Sequence, residues 1–242
     1  ARPNPNPAQT RDSSMQQWQI GKVKVTRIIE LEVAGGTRFI LPQATPEAVK
    51  PMQWMVPHFA TEDGKVIMSV HALVIETPNR LMLVDTCIGN DKVRSIPNWH
   101  QLSLPFLEDL AKAGYEPEQF DTIMCTHLHV DHVGWNTQFV DGQWVPTFPN
   151  AEYVFVAVEF EHWSATEDLF GDPVFDDSFA LKDAVISLPD IALKLMVGLC
   201  AITGASDCFP ELHIVNQIEN MDTLEDGIIF KQRGFEPGIT GM

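Results

Sequence analysis

The densest chemistry in the sequence lies in Thr126-His127-Leu128-His129-Val130-Asp131-His132, with Gly134 two positions further on. Three of the chain's eight histidines and one carboxylate fall within this stretch. Imidazole nitrogen and carboxylate oxygen are donors that suit zinc and similar divalent ions, and few structural roles call for such density. In an extended stretch His127 and His129 project to the same side. Asp131 and His132 then open the next element and can reach a second ion beside the first. The chemistry this pattern points to is attack by a metal-activated hydroxide.

Other elements must position these side chains. The apolar run Thr122-Ile123-Met124-Cys125 reads as a buried strand that ends at the motif, with a helix beginning behind it. Residues 65–77 read as a strand, Pro78-Asn79 as a tight turn and residues 80–84 as the partner strand, a hairpin that delivers Asp85 to a sheet edge. Between hairpin and motif, Ser103 reads as an N-cap and Pro105 as a first-turn residue. Leu107, Leu110 and Ala111 share one face there, and Gly114 ends the helix.

Upstream, the alternation of Val23 and Val25 with Lys22, Lys24 and Thr26 predicts a half-buried strand from Ile20 into Ile28 and Ile29. Gly35-Gly36 then marks a turn. The Pro-punctuated segment 41–57, carrying Met52, Trp54 and Met55, reads as a loop over the site whose apolar residues form a core lid rather than a substrate cradle. Downstream, Val140-Asp141-Gly142-Gln143 predicts a hairpin and Glu152-Tyr153-Val154-Phe155-Val156 a further strand. This order describes a layered α/β sandwich with its site on loops at one sheet edge.

His127-x-His129-x-Asp131-His132 resembles the signature of the metallo-β-lactamase-fold hydrolases, and the wider stretch is similar to their lactonase and organophosphate-hydrolase-like branch. Leu81-Met82-Leu83-Val84-Asp85-Thr86, followed by Cys87-Ile88-Gly89-Asn90, resembles that family's earlier strand-end Asp and Gly-containing loop. The resemblance covers about residues 20 to 178 and implies an α/β fold, a four-layer αββα sandwich. It also implies zinc as cofactor, two ions where the site is complete, with iron or manganese as alternatives. His127 and His129 would hold the first ion, Asp131 and His132 the second. Asp131 would also accept a proton during catalysis, and Asp85 would orient ligands without being one. The implied substrate is a small ester or lactone, with organophosphates or β-lactams less favoured. Iron-bearing oxidoreductases of the persulfide dioxygenase-like and flavodiiron-like kinds share similar motifs, so that alternative stays open.

Beyond Phe179 the resemblance fades. A complete relative would add a His in a Gly-rich turn, an Asp bridging the two ions and a late His. Here no Pro-Gly-His turn follows, and His213 is the only later histidine. Asp190 and Asp207 lie in no matching pattern. Either the second half of the domain is lost or replaced, which is the favoured reading, or Asp207, Cys208 or His213 stands in. A catalytically incomplete metal-binding homologue is the third alternative.

Length and composition fit one domain over residues 15–242, preceded by a Pro- and Asn-rich tail over residues 1–14 that lacks the apolar surface to order itself. A formal net charge of −17 argues against a nucleic-acid partner. Cys87, Cys125, Cys200 and Cys208 form no CxxC pair, which fits reduced thiols and a cytoplasmic setting, although a cleaved export leader would leave no trace. Cys87 and Cys125 read as packing residues. No apolar run is long enough to span a bilayer, and a homodimer is compatible with the chain. His58, His71, His100 and His162 read as surface or packing residues. Of these, His58 alone sits in the proposed lid, and His162 is expected half-buried on a helix with a hydrogen-bonded ring.

Overall fold

A computed structural model describes residues 16–165, 172–179, 181, 184–187 and 230–231. The proposed tail and Asp190, Cys200, Asp207, Cys208 and His213 lie outside the described residues. Ten strands are described: β1 (Gln17–Ile20), β2 (Val23–Ala34), β3 (Ile67–Glu76), β4 (Leu81–Val84), β5 (Thr122–Met124), β6 (Thr137–Val140), β7 (Gln143–Pro146), β8 (Glu152–Val156), β9 (Ala184–Ser187) and β10 (Phe230–Lys231). Four α-helices accompany them: α1 (Pro46–Val49), α2 (Phe106–Lys112), α3 (Ala157–Ala165) and α4 (Val174–Ser178).

The main sheet runs β1-β2-β3-β4-β5-β8-β9-β10, and β6 with β7 makes a separate two-stranded sheet. Pairing is antiparallel from β1 to β4, parallel from β4 through β5 and β8 to β9, and antiparallel again at β10. The parallel centre has a sequence cause. Leu81-Met82-Leu83-Val84 and Thr122-Ile123-Met124 are nearly continuous apolar runs, as strands covered on both faces require.

One face buries Leu83, Ile123, Tyr153 and Phe155 against Phe106 and Leu110 of α2, with Phe120 and Phe148 closing the layer. The other face gathers Val23, Val25, Leu73, Ile75, Met82 and Val84, with Trp18 and Ile20 packed on them. A sheet that is apolar on both faces is an inner layer, and the chain is α/β as the sequence predicts.

Several expectations are corrected. The hairpin of β1 and β2 begins earlier than the reading from Ile20, because Trp18 pairs with Val25 across the Gly21 turn. The N-cap of α2 is Pro105, without a side-chain cap, rather than Ser103. Its buried residues are Phe106 and Leu110, with Ala111 exposed. No α-helix begins behind the motif. Residues 130–132 form a turn that leads into a 3-10 turn at Gly134–Asn136. Asp85 stands at the end of β4, at the same edge of the sheet from which the motif leaves the parallel strand β5, as expected. Met52 and Trp54 are exposed, Trp54 by 73%, so these apolar residues of segment 41–57 do not form a core lid. The expected Asp141-Gly142 hairpin is present, and both residues take the positive φ that a tight two-residue turn needs.

Candidate active site

Two loops build the site, and the backbone clasps them together. One follows β4 and carries Asp85 to Gly89. The other follows β5 and carries Thr126 to Asn136. Thr86 N donates to His132 O at 2.8 Å, Gly134 N to Cys87 O at 2.8 Å and Trp135 N to Thr86 O at 2.7 Å. Gly134 is required at this crossing, since a Cβ there would lie 1.8 Å from the Ile88 carbonyl oxygen. Asp85 itself adopts a left-handed φ of 58°, a conformation Asp tolerates better than most residues, and this aims its carboxylate at the motif.

That carboxylate organises the histidines. Thr126 donates its backbone N–H to Asp85 Oδ1 at 2.7 Å and its hydroxyl to the same carboxylate at 2.9 Å. His132 Nδ1 lies 2.9 Å from Asp85 Oδ2 and donates to it. With its proton given to Asp85, Thr126 Oγ1 is free to accept from His127 Nδ1 at 3.1 Å. The network thus favours one tautomer for both rings, with Nδ1 protonated and the Nε2 lone pair left for a metal ion.

The motif side chains stand close together. His127 and His129 ring centroids are 4.6 Å apart, those of His127 and His132 are 3.9 Å apart, and His132 Nε2 lies 3.6 Å from Asp131 Oδ2. Among the described residues no group of three or more His, Cys, Asp or Glu side chains is arranged to hold a metal ion as it stands. Donor type, proximity and tautomer nonetheless fit a divalent ion, which these residues would hold through Nε2 atoms and one carboxylate.

Electrostatics separate the rings. Burial, then the neighbouring His132 and His129, push His127 down to about 4, so its ring is neutral at physiological pH. Burial would also lower His132, but the Asp85 hydrogen bond and the charges of Asp85 and Asp131 outweigh it and raise the group above its ordinary value. Cys87 and Cys125 are fully buried and burial raises both thiols well above their usual range, consistent with packing roles.

Side chains that sequence reasoning passed over complete the surroundings. Glu159 of α3 accepts from Leu128 N at 3.3 Å and from Trp163 Nε1 at 2.9 Å, and the Trp163 ring meets His129 edge-on at 5.3 Å. Glu30 reaches in from β2 to the loop after β4. Its one sequence signal is a lone carboxylate in the apolar run Ile28-Ile29-Glu30-Leu31.

The other histidines fall elsewhere. His58 is exposed beside Phe59, and exposed His100 bonds the Arg94 backbone. His162 is exposed rather than half-buried, its ring edge-on to Trp163 at 4.8 Å. His71 is half-buried on β3, where its Nδ1 lies 3.2 Å from Ser69 Oγ and its electrostatic neighbours include Asp85 and His132.

Burial, and then the charge of Arg27, lower His71 to about 4 from an ordinary 6.5. Between those values the unfolded chain binds the extra proton, so this contribution is complete above pH 6.5 and is lost as pH falls through 4. It amounts to roughly 3 kcal/mol. Denaturant melts from pH 7 to pH 4 should show that loss in the wild type and a flatter profile in His71→Gln. Parallel profiles would contradict the assignment.

The family description "Metallo-beta-lactamase superfamily" matches residues 67–199, more than half of the chain. A comparison with curated proteins returns no match. Among solved structures, the chain is similar to the hydrolase AbOPH of the beta-lactamase superfamily, with 24% identity, TM-score 0.45, and coverage of 62% of this chain and 46% of that one. It is similar to AidC, a dizinc quorum-quenching lactonase, with 21% identity, TM-score 0.48, and coverage of 63% and 48%. It is also similar to a "probable metal-dependent hydrolase" from Staphylococcus aureus, with 19% identity, TM-score 0.49, and coverage of 71% and 60%. The chain thus spans about half the length of the first two structures and less than two thirds of the third. The motif after β5, the Asp-led loop after β4 and the family match over both identify this chain as a member of the metallo-beta-lactamase superfamily.

Proposed function

We propose that this chain is a metal-dependent hydrolase that opens a lactone or cleaves another small ester. The observation that carries the reading is the Asp85 network, which protonates Nδ1 of both His127 and His132 and leaves their Nε2 atoms free. His127 and His129 would hold one zinc ion, and Asp131 and His132 a second. Bound zinc lowers the pKa of water to about 7 and polarises an ester carbonyl. Asp85 and Thr126 hold the His132 and His127 rings by their Nδ1 atoms, so that binding has to draw only the Nε2 atoms and the Asp131 carboxylate together. Asp131, at the motif's outer turn, would take the proton released as the ester is attacked.

The sheet register supports an apolar substrate. Leu73 lies opposite Val84, so β3 and its partner β2 run on past the end of β4 by roughly 20 Å. Segment 37–60 therefore leaves the sheet roughly 20 Å beyond the end of β4 that carries Asp85. Exposed Trp54 and Phe59, with ring centroids 6.4 Å apart, are the side chains there that would receive an apolar substituent.

Calorimetric zinc titration, with assays of lactone and ester hydrolysis and of oxygen consumption, tests the proposal. Saturable zinc binding with hydrolysis is expected. Bound iron with oxygen uptake would replace the hydrolase by the oxidoreductase alternative, and the absence of tight binding would leave an incomplete homologue. Asp85→Asn should keep the stoichiometry and weaken affinity about 10–100-fold, the usual cost of losing a ligand's orienting partner. Loss of a whole binding equivalent would make Asp85 a ligand instead.

A further inference from the structure

Glu30 is 1% exposed and lies three strands' worth of chain away from the motif in sequence, yet its carboxylate bonds Ile88, Gly89 and Trp135 of the clasp behind the motif. Its Oε2 accepts from Ile88 N at 2.8 Å. Its Oε1 accepts from Gly89 N at 3.0 Å and from Trp135 Nε1 at 2.7 Å. One carboxylate thus joins the loop after β4 to the turn after the motif, at the crossing where Gly134 touches the Ile88 and Gly89 backbone.

The backbone is shaped for this contact. Between Ile29, which pairs with His71, and Leu31, which pairs with Val70, the register of β2 and β3 shifts, and Glu30 is the extra residue. A β-bulge of this kind turns a side chain off the regular pleat and re-aims it. Here it places an acceptor between two N–H groups of a tight loop and an indole N–H. Burial raises the carboxyl above its ordinary range, the three donors oppose that shift, and the Asp131 charge is felt at the same group.

We infer that Glu30 is a positioning residue for metal binding: from a bulge in β2 it pins both loops of the clasp and so sets the placement of Asp131 and His132. The path is short and continuous. Glu30 fixes Ile88, Gly89 and Trp135, Trp135 N is bonded to Thr86 O, and Thr86 N is bonded to His132 O. Phe106 stacks on the Trp135 ring at 5.6 Å, so the indole cannot swing away to compensate for a lost acceptor. The inference rests on the metal-binding reading given above.

The test is zinc calorimetry on the full chain, alongside thermal melts without added metal. Glu30→Gln keeps the side chain's size but turns an amide N–H₂ toward donors that need an acceptor. It should bind zinc about 10–100-fold more weakly at a temperature where the variant is still folded. Phe120→Leu, a core truncation outside the clasp, should lower the melting temperature and leave zinc affinity unchanged. A purely structural role for Glu30 would make the two variants behave alike. Glu30→Gln with wild-type affinity would overturn the inference while leaving the metal reading intact. A wild-type chain that binds no zinc would overturn the metal reading and this inference with it. If Glu30→Gln does not fold, Trp135→Phe removes one of the three donors and should weaken zinc binding in the same direction; unchanged affinity in that variant overturns the inference.

Discussion

Asp131→Ala is expected to lose one of two zinc equivalents and to lower ester or lactone turnover by about 10²–10⁴-fold. The expectation has two sources. Asp131 is the motif's one carboxylate, and its Oδ2 lies 3.6 Å from His132 Nε2, so it is the oxygen donor placed to share an ion with that ring. As a carboxylate it is also the motif group proposed above to take the proton of an attacking water. Asp131→Asn separates the roles, because an amide oxygen can still approach an ion but accepts a proton poorly. Full stoichiometry with low turnover in Asp131→Asn would assign the proton role. Unchanged turnover in both variants would contradict the assignment of Asp131 to the site.

The largest stability effect is expected at Asp177 of α4, which bonds Thr137 just after the motif loop. Its carboxylate receives Arg94 NH1 at 2.6 Å and NH2 at 3.1 Å, and Lys92 Nζ lies 3.8 Å from the same group. The Lys92 and Arg94 side chains are fully buried. Lys92 Nζ also donates to Thr137 Oγ1 at 2.6 Å and to Asp177 O at 2.5 Å, and it sits 3.6 Å over the Trp144 ring. Burial pushes Lys92 down to about 7, against the pull of Asp177. Asp177→Ala would leave a guanidinium that cannot shed its charge and an ammonium that can, both without the carboxylate. Breaking a buried pair on one side costs about 3–5 kcal/mol. Equilibrium unfolding in urea measures it, and a loss under 1 kcal/mol would mean that water reaches the cluster.

The contrast between these two sites shows what a linear sequence conveys. The motif was legible because its donors are neighbours in the chain, and density alone separates them from chance. The strands around it were legible from apolar runs and alternation, and the β6–β7 hairpin from Asp141-Gly142, whose positive φ angles few residue pairs adopt. Asp177 and Arg94 meet across 83 positions, and no local pattern announces such a pair. Glu30 was hidden for a different reason. The bulge at Ile29/Leu31 breaks the two-residue period on which an inward carboxylate would have stood out.

The helix start was misplaced because Ser103 has the capping side chain, whereas the chain turns at Pro105, whose carbonyl accepts from Asp109 N. The lid expectation fails because apolar composition says nothing of which way Met52 and Trp54 face, and Phe59 beyond them is exposed as well. Trp54 and Phe59 prefer burial and are exposed, which is why the proposal offers them to an apolar substituent and does not count them as core.

The measurement that bears most directly on the central claim is X-ray absorption at the zinc edge of the full chain loaded with zinc. Ligation by the motif predicts imidazole scattering with zinc–nitrogen distances of about 2.0–2.1 Å, and a lower imidazole count in His127→Ala and His132→Ala. A shell of oxygen alone, or a spectrum that neither substitution alters, would contradict the claim that these histidines hold the ion.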